Sequence, residues 1–438
     1  MEGDNMISKS IIIAIIASLL LLTPSASASD YTLGIFGNAN EDDNIDLKDV
    51  EYTGLIILGL DVQTQLADAK YDDKVDILDV TQTELIILGK EKELTFLDGF
   101  KEVMTVTKPV ERVVSVWCTN NELLKVLDAT EKIVGVDGGM TQKSTTLFPE
   151  LCDLPDCGGW HAPNFEAILS QHPDMYIPWL ITTADSASTY GILRKRFLEE
   201  KLTNVPVLCL DNSEYCTGEY FLEEVKRLGF IFDKRKESAE FIEFYKGCMD
   251  PVTELTEGLS EDEKPKVWIT SLFFSGGEVT SSPYAYTVFD PVDLAGGKNI
   301  AAELGSISPG TKVDIEWVIE QNPEFILLQI WAAGNKKSPY APDYPVSNIE
   351  EQVNGVLNCP QLSNVDAVKN KRVYVIQYSH FTKGPARSIC VAYLAKLFHP
   401  EMFADLDPLA MHQEYMNRFL RINASVNSVN FLYPSLNE

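Results

Sequence analysis

The sequence predicts an α/β protein of two similar lobes with a ligand site between them, preceded by a small helical module. Three observations carry this. NFEAILSQHPDMYI at 164–177 and DIEWVIEQNPEFIL at 314–327 follow one template: a helix-capping residue (Asn164, Asp314), a glutamate two positions on (Glu166, Glu316), a short apolar stripe, a proline stop (Pro173, Pro323) and an apolar strand. From residue 98 onward, strands alternate with helices, the pattern of a parallel sheet covered by helices. Between 38 and 89 the chain repeats itself at an offset of 30 residues. Capping side chains satisfy free N–H groups, first-turn acids complement the helix dipole, and proline forbids continuation, so the template reads as helix, stop, strand in each half.

Residues 11–22, IIIAIIASLLLL, are too few to span a bilayer comfortably and are followed by Pro24 and the small residues Ser25 to Ser29. This reads as a signal peptide over 1–28, cut near Ala28. Glu2 and Asp4 oppose Lys9, which points to Met6 as the start; an uncleaved anchor is the alternative. A formal charge of -29 would repel phosphate backbones and anionic lipid, which excludes nucleic acid as a partner. All eight cysteines lie beyond the signal, so disulfides are open, Cys152 to Cys157 and Cys209 to Cys216 being the local candidates, with buried free thiols the alternative. No CxxC spacing suggests zinc, and Asn423-Ala424-Ser425 is a glycosylation sequon.

The repeat reads NANEDDNIDLKDV…TGLIILG, then DAKYDDKVDILDV…TELIILG. In the first copy, oxygen-bearing side chains stand at loop positions 1, 3, 5, 9 and 12 (Asn38, Asn40, Asp42, Asp46, Asp49), Asn44 offers its carbonyl at position 7, and Ile45 anchors the loop to the following helix. This is the spacing by which an EF-hand-like loop wraps calcium, a hard cation that takes six or more oxygens. The second copy keeps Asp68, Asp72, Asp76 and Asp79 with Lys74 at position 7, but Lys70 at position 3 predicts weaker binding or none. Asp43 and Asp73 replace the usual glycine, so each turn is expected to need a left-handed or strained acid. Over 35–92 the motif resembles the dockerin type I module, which implies calcium-dependent docking to a cohesin domain on a surface protein. An acidic linker is the bland alternative.

The body divides as an N-terminal lobe over 98–218, a charge-laced amphipathic stretch over 219–262 and a C-terminal lobe over 263–425, after a module at 35–95. Strands are expected at 111–117, 132–137, 205–211, 266–272 and 372–377, and helices at 121–129 and about 388–398. The phrases KPVERVVSV (108–116), LDATEKIVGVD (127–137), FEAILSQHPD (165–174), LAGGKNIAAE (294–303), VDIEWVIEQNPEFIL (313–327) and GPARSICVAYLAKLFHPEMFADLD (384–407), in this order, resemble the substrate-binding proteins that feed iron-complex and cobalamin ABC importers. The resemblance implies a class III fold, two Rossmann-like lobes joined by a long helix, here Glu219 to Leu259. It also implies that Glu166 and Glu316 pair with arginines of the ABC permease; dipole compensation is the simpler reading of the same residues.

At the carboxyl ends of the strands the sequence places Trp117, Cys118, Trp160, His161, Trp179, Tyr284, Tyr286, Trp331, Tyr378, His380 and, nearby, Arg387. Rings offer stacking area, and His161, His380 or Arg387 would meet carboxylates or a metal centre, which suits haem, a ferric siderophore or a corrinoid. A bare-ion site is disfavoured because only five histidines are present, and His172 and His399 stand at helix ends before prolines. Two other classes compete. One is a dockerin-borne extracellular enzyme acting on carbohydrate, although no G-x-S-x-G, HExxH or phosphate loop occurs; the other is an adhesive surface protein without transport.

Overall fold

The computed structural model describes residues 31–139, 141–180, 186–210, 218–271, 274–275, 278–279, 284–286, 290–304, 310–330, 340–341, 346–377, 384–428 and 431–436. The proposed signal segment, Cys216, Trp331, Tyr378 and His380 lie outside them.

The duplicated segment forms two loop-helix units, α1 (Leu47–Leu58) and α2 (Ile77–Leu88). Each opens on an aspartate capping box, Asp46 with Asp49 and Asp76 with Asp79, and each ends at a left-handed glycine, Gly59 or Gly89. Ile45 is 5% exposed, as the loop anchor requires. Both loops bend at the same left-handed position, Glu41 (φ 56) and Tyr71 (φ 53); of the two turn acids only Asp73 (φ 66) is left-handed as well.

An antiparallel hairpin follows, β1 (Glu93–Leu97) against β2 (Val103–Thr107). The N-terminal lobe then runs β3 (Val113–Ser115), α3 (Cys118–Val126), β4 (Ile133–Gly135), α4 (Phe165–Ser170), β5 (Met175–Ile177) and α5 (Ser186–Lys201). Its parallel strands lie in the order β4-β3-β5, extended by a bridge from Tyr176 to Val207. The strand expected over 205–211 is thus reduced to that one parallel bridge.

The linking stretch corrects the expectation of a single helix. It is a helical hairpin, α6 (Gly218–Ile231) and α7 (Arg235–Thr256), broken where Asp233 turns left-handed (φ 58). Phe221 at the start of α6 meets Phe241 and Tyr245 of α7, and Ser238 donates to the Val225 carbonyl, so the two run antiparallel. Only α7 crosses to the second lobe. Its buried Ser238, Phe241, Tyr245, Cys248 and Val252 recur at helical spacing and face the core.

In the C-terminal lobe β6 (Lys266–Thr270), β7 (Lys298–Asn299), α8 (Ile315–Gln321), β8 (Phe325–Ile330), α9 (Val346–Leu357), β9 (Val373–Gln377), α10 (Arg387–Phe398), α11 (Pro408–Glu414) and β10 (Leu432–Tyr433) follow in order. The sheet reads β7-β6-β8-β9-β10, parallel except for the last pair. Helix α10 is buried along nearly its whole length, so it is a core rod rather than a surface helix. The template predicted for the two lobes is present twice: α4 and α8 stop ahead of Pro173 and Pro323, and β5 and β8 resume just after. Asn164 caps α4 through Ala167 N, whereas Asp314 makes no side-chain cap.

The first module does not stand apart from the body. Leu33, Ile35, Ile45 and Ile86 belong to the same buried cluster as Phe221, Val225 and Phe241 of the helical hairpin. The Arg235 guanidinium donates to the terminal carbonyls of α2, Ile86 (2.8 Å) and Ile87 (3.1 Å). Glu223 accepts from Gly34 N (3.4 Å) and pairs with Lys101, while Lys226 meets Asp43 of the first loop at 3.3 Å. Ile35 bridges Phe96 of β1, which completes the seam.

Candidate functional site

In the N-terminal lobe the chain leaves β3 towards β4 and leaves β5 towards 207 on the opposite side, so a crevice opens beyond the carboxyl ends of β3 and β5. Trp117 and Trp179 each stand two residues past those strands. Their rings lie 5.0 Å apart, and Trp160 closes on both, at 6.3 Å from Trp117 and 4.7 Å from Trp179. All three are half-buried, and His161 stacks on Trp160 and is exposed. Trp160 is delivered by a tight loop. Gly158 there has φ 82, and a Cβ would fall 2.5 Å from the Ala162 carbonyl, so only glycine fits. Arg194 of α5 holds the loop by donating to the carbonyls of Trp160 and His161, both at 3.2 Å.

The two lobes meet on α3. Thr119 in its first turn lies beside Gly384 of the other lobe, where an added Cβ would be 3.8 Å from the threonine methyl. Tyr415 donates to Glu122 at 2.6 Å, and Arg421 pairs with Asp128 at 2.7 Å. Four predicted ligand contacts are thereby corrected or displaced. Cys118, as the first residue of α3, is fully buried in the core, and Tyr286 (8% exposed) packs into the same cluster. Arg387 begins α10 but is 5% exposed and paired with Asp290, so its charge is already engaged. Tyr284 sits on a short strand (284–286) paired with 310–312 rather than at the end of a sheet strand.

No disulfide joins the described cysteines. Cys152 donates to the Phe148 carbonyl, and Cys157 is buried at the sheet, its thiol pushed up to about 11 by desolvation. Cys209 is likewise a free, buried thiol. His399 follows the last residue of α10, and its Nε2 lies 2.9 Å from the Gly296 carbonyl, a contact to another segment rather than to the end of its own helix.

Glu166 and Glu316 are exposed, each in the first turn of its helix, one per lobe. A separate groove of about 700 Å³ lies between β2, α5 and 202–207, but its charges satisfy one another: Lys195 and Arg196 both pair with Glu102, so it is a seam.

The two repeated loops differ in a way the sequence only half shows. In the first, the Asn38 amide nitrogen is committed to the carbonyls of Leu33 (2.8 Å) and Asp42 (2.6 Å), which leaves its fully buried Oδ1 without a partner. Asp49 is also fully buried, and desolvation pushes its carboxyl up to about 7 against donors from Asp46 and Asn40. In the second loop, Asp68 spends both oxygens on the N–H groups of Asp72 (3.1 Å) and Asp73 (2.8 Å), and Lys70 is exposed. Among the described residues no three His, Cys, Asp or Glu side chains converge as a metal cluster, because the loop carboxylates turn to backbone N–H groups: Asp42 to Asn44 and Asp46 to Lys48. A buried acid raised by desolvation is common to both loops, Asp49 in the first and Asp79 in the second; what sets the first apart, and fits a hard cation in donor chemistry, is the orphan oxygen of Asn38.

A family model described as periplasmic binding protein matches residues 113–378. The chain belongs to the periplasmic binding protein family. Members are substrate-binding proteins that serve ABC importers, not enzymes, and they partner a permease. The molybdate-binding protein MolA of Haemophilus influenzae is 24% identical over 341 residues, 74% of this chain and 90% of that protein. An uncharacterized ABC transporter substrate-binding lipoprotein, YvrC of Bacillus subtilis, is 21% identical over 71% of this chain and 87% of its own length. Among solved structures, the TroA-like periplasmic binding protein FepB from Veillonella parvula superposes with a TM-score of 0.60 at 21% identity, covering 76% of this chain and 97% of that one. The fold of this binding protein is therefore the TroA-like, helical-backbone type. The match begins at residue 113, after the loop-helix module.

Sequence reasoning missed the polar residues under the tryptophan wall, Asn120, Asp137 and Thr141. The only available signal, and for Asn120 alone, was the run Thr119-Asn120-Asn121 just past Trp117 and Cys118, polar residues at a position the fold buries.

Proposed function

We propose that this periplasmic binding protein captures a flat metal chelate, a haem, ferric siderophore or corrinoid, outside the cell and delivers it to an ABC permease. The carrying observation is the wall of Trp117, Trp160 and Trp179 at the switch point of the N-terminal sheet. Such a wall supplies broad apolar area with offset and edge-on ring geometry, suited to a planar ligand face. His161, exposed beside Trp160, is placed to meet a carboxylate or an open metal position.

A second reading is a tetrahedral oxyanion, favoured by the kinship to the molybdate-binding protein and by the start of α3, where Trp117 provides no side-chain cap. Thermal shift and calorimetry with haemin, ferric-catecholate chelates, cobalamin and molybdate separate the two. A rise in melting temperature with a chelate and none with molybdate is the expected result, since binding to the native state stabilises by mass action. Stabilisation by molybdate alone would replace the chelate with the oxyanion.

Glu166 and Glu316 are the proposed contacts to permease arginines. Reversing both to lysine is expected to abolish uptake in a reconstituted importer while leaving ligand affinity unchanged; full uptake by the double variant would remove them from that role. The first calcium loop, with Asn38, Asn40, Asp42, Asn44, Asp46 and Asp49, is the proposed calcium site, and the exposed Leu60 and Val62 beside α1 support a docking face for a cohesin-type domain.

A further inference from the structure

We infer that Asn120 and Asp137 are positioning residues that set the geometry of the tryptophan wall. This rests on the reading of that wall as the ligand site. The Asn120 amide nitrogen donates to the carbonyl of Val116 at 2.9 Å and to that of Pro178 at 3.1 Å. Those carbonyls immediately precede Trp117 and Trp179. One buried amide thus ties together the two peptide units from which both indoles spring, at the ends of adjacent strands β3 and β5, and fixes the rings 5.0 Å apart and 33° from parallel.

Asp137 holds the same wall from beyond β4. Its Oδ2 accepts from Trp117 N at 3.0 Å and from the Thr141 hydroxyl at 2.6 Å, while Oδ1 accepts from Thr141 N at 3.2 Å. Asn121 Nδ2 donates to the same hydroxyl at 2.8 Å, which returns the chain of bonds to α3. Trp117 needs this hold. Its backbone sits at φ 91, ψ 135, a conformation that a bulky L residue rarely adopts and that persists only where the surroundings dictate it. Nothing local favours tryptophan here, because an indole cannot cap α3.

Asn120, Asn121, Asp137 and Thr141 are all buried, at 0 to 4% exposure, so they act on a ligand only through the indoles. A buried amide that bridges two carbonyls is more costly to lose than a surface bond, because both acceptors are left dry. The spacing of the wall, and with it the shape of ligand face it accepts, therefore depends on residues behind it.

The test uses the full chain and its Asn120→Ala, Asp137→Asn and Val252→Ala variants. Near-ultraviolet circular dichroism reads the tryptophan packing, fluorescence quenching by haemin reads affinity, and urea unfolding reads stability. Val252, buried in α7 away from the wall, controls for plain destabilisation. Asn120→Ala and Asp137→Asn are expected to lose the tryptophan dichroism and bind haemin about tenfold more weakly while fully folded, whereas Val252→Ala keeps both. Wild-type dichroism and affinity in both wall variants, or equal losses in Val252→Ala, would overturn the inference. Should Asn120→Ala not fold, Asp137→Asn, which retains one acceptor oxygen, decides alone. A wild-type chain that binds neither haemin nor any other chelate refutes the proposed function, and the dichroism comparison still decides the positioning.

Discussion

Removing calcium with EGTA is expected to lower the melting temperature of the whole protein by about 5 °C in one cooperative transition. Stabilisation by a ligand present at a hundredfold over its dissociation constant is about 2.7 kcal/mol, and a chain of this size moves a few degrees at most per kcal/mol. The single transition follows from packing: Leu33, Ile35 and Ile86 of the loop-helix unit share a buried cluster with Phe221 and Val225 of α6, and Arg235 receives the end of α2. An autonomous appendage on a linker would melt separately. Differential scanning calorimetry with and without calcium reads the difference. Two separated peaks, with only the smaller one responding to EGTA, would show the unit to be independent, and no response at all would remove calcium from the first loop.

Replacing Lys195 with alanine is expected to destabilise the fold by about 3–5 kcal/mol, the largest single-residue effect among these predictions. Its ammonium lies 2.5 Å from Asp98 and 2.8 Å from Glu102, and Asp98 has no solvent exposure. Asp98 also accepts from the N–H groups of Phe100 and Glu102, so it organises the hairpin turn, and Gly99 N next to it bonds the Cys209 carbonyl. Without the lysine a buried carboxylate remains with no cation. Breaking a buried pair costs more than the pair itself contributes, so the Lys195→Met, Asp98→Asn double variant should recover much of the loss. Urea midpoints at unchanged slope measure this. A shift below about 1 kcal/mol for Lys195→Ala would mean water reaches Asp98.

The duplicated module and the paired helix-stop-strand template were legible because their signals are local. Capping aspartates, terminal glycines and prolines act within one turn, and both copies fall where the sequence placed them. The linking stretch was misread as one rod because amphipathic periodicity continues on both sides of Asp233; the one mark of the break is Gly229 in the last turn of α6, where an added Cβ would fall 2.7 Å from Ser238 Cβ of α7. Cys118 and Tyr286 were placed at the ligand for a similar reason: position after a strand is visible, but the side to which a helix start turns is set by what packs against it. That Trp117, Trp160 and Trp179 come together was legible because each follows, or loops over, a strand end on the same side of one sheet. Their supports, Asn120 and Asp137, come from separate turns that only the folded sheet brings together.

The seam between residues 33–36 and α6 has a mechanical consequence. A pull on residues 33–36 enters a segment hydrogen-bonded to β1 and to Glu223, and so loads the hairpin and the linking helices rather than the tryptophan wall. Force entering there strains those hydrogen bonds in shear and leaves the three indoles in register.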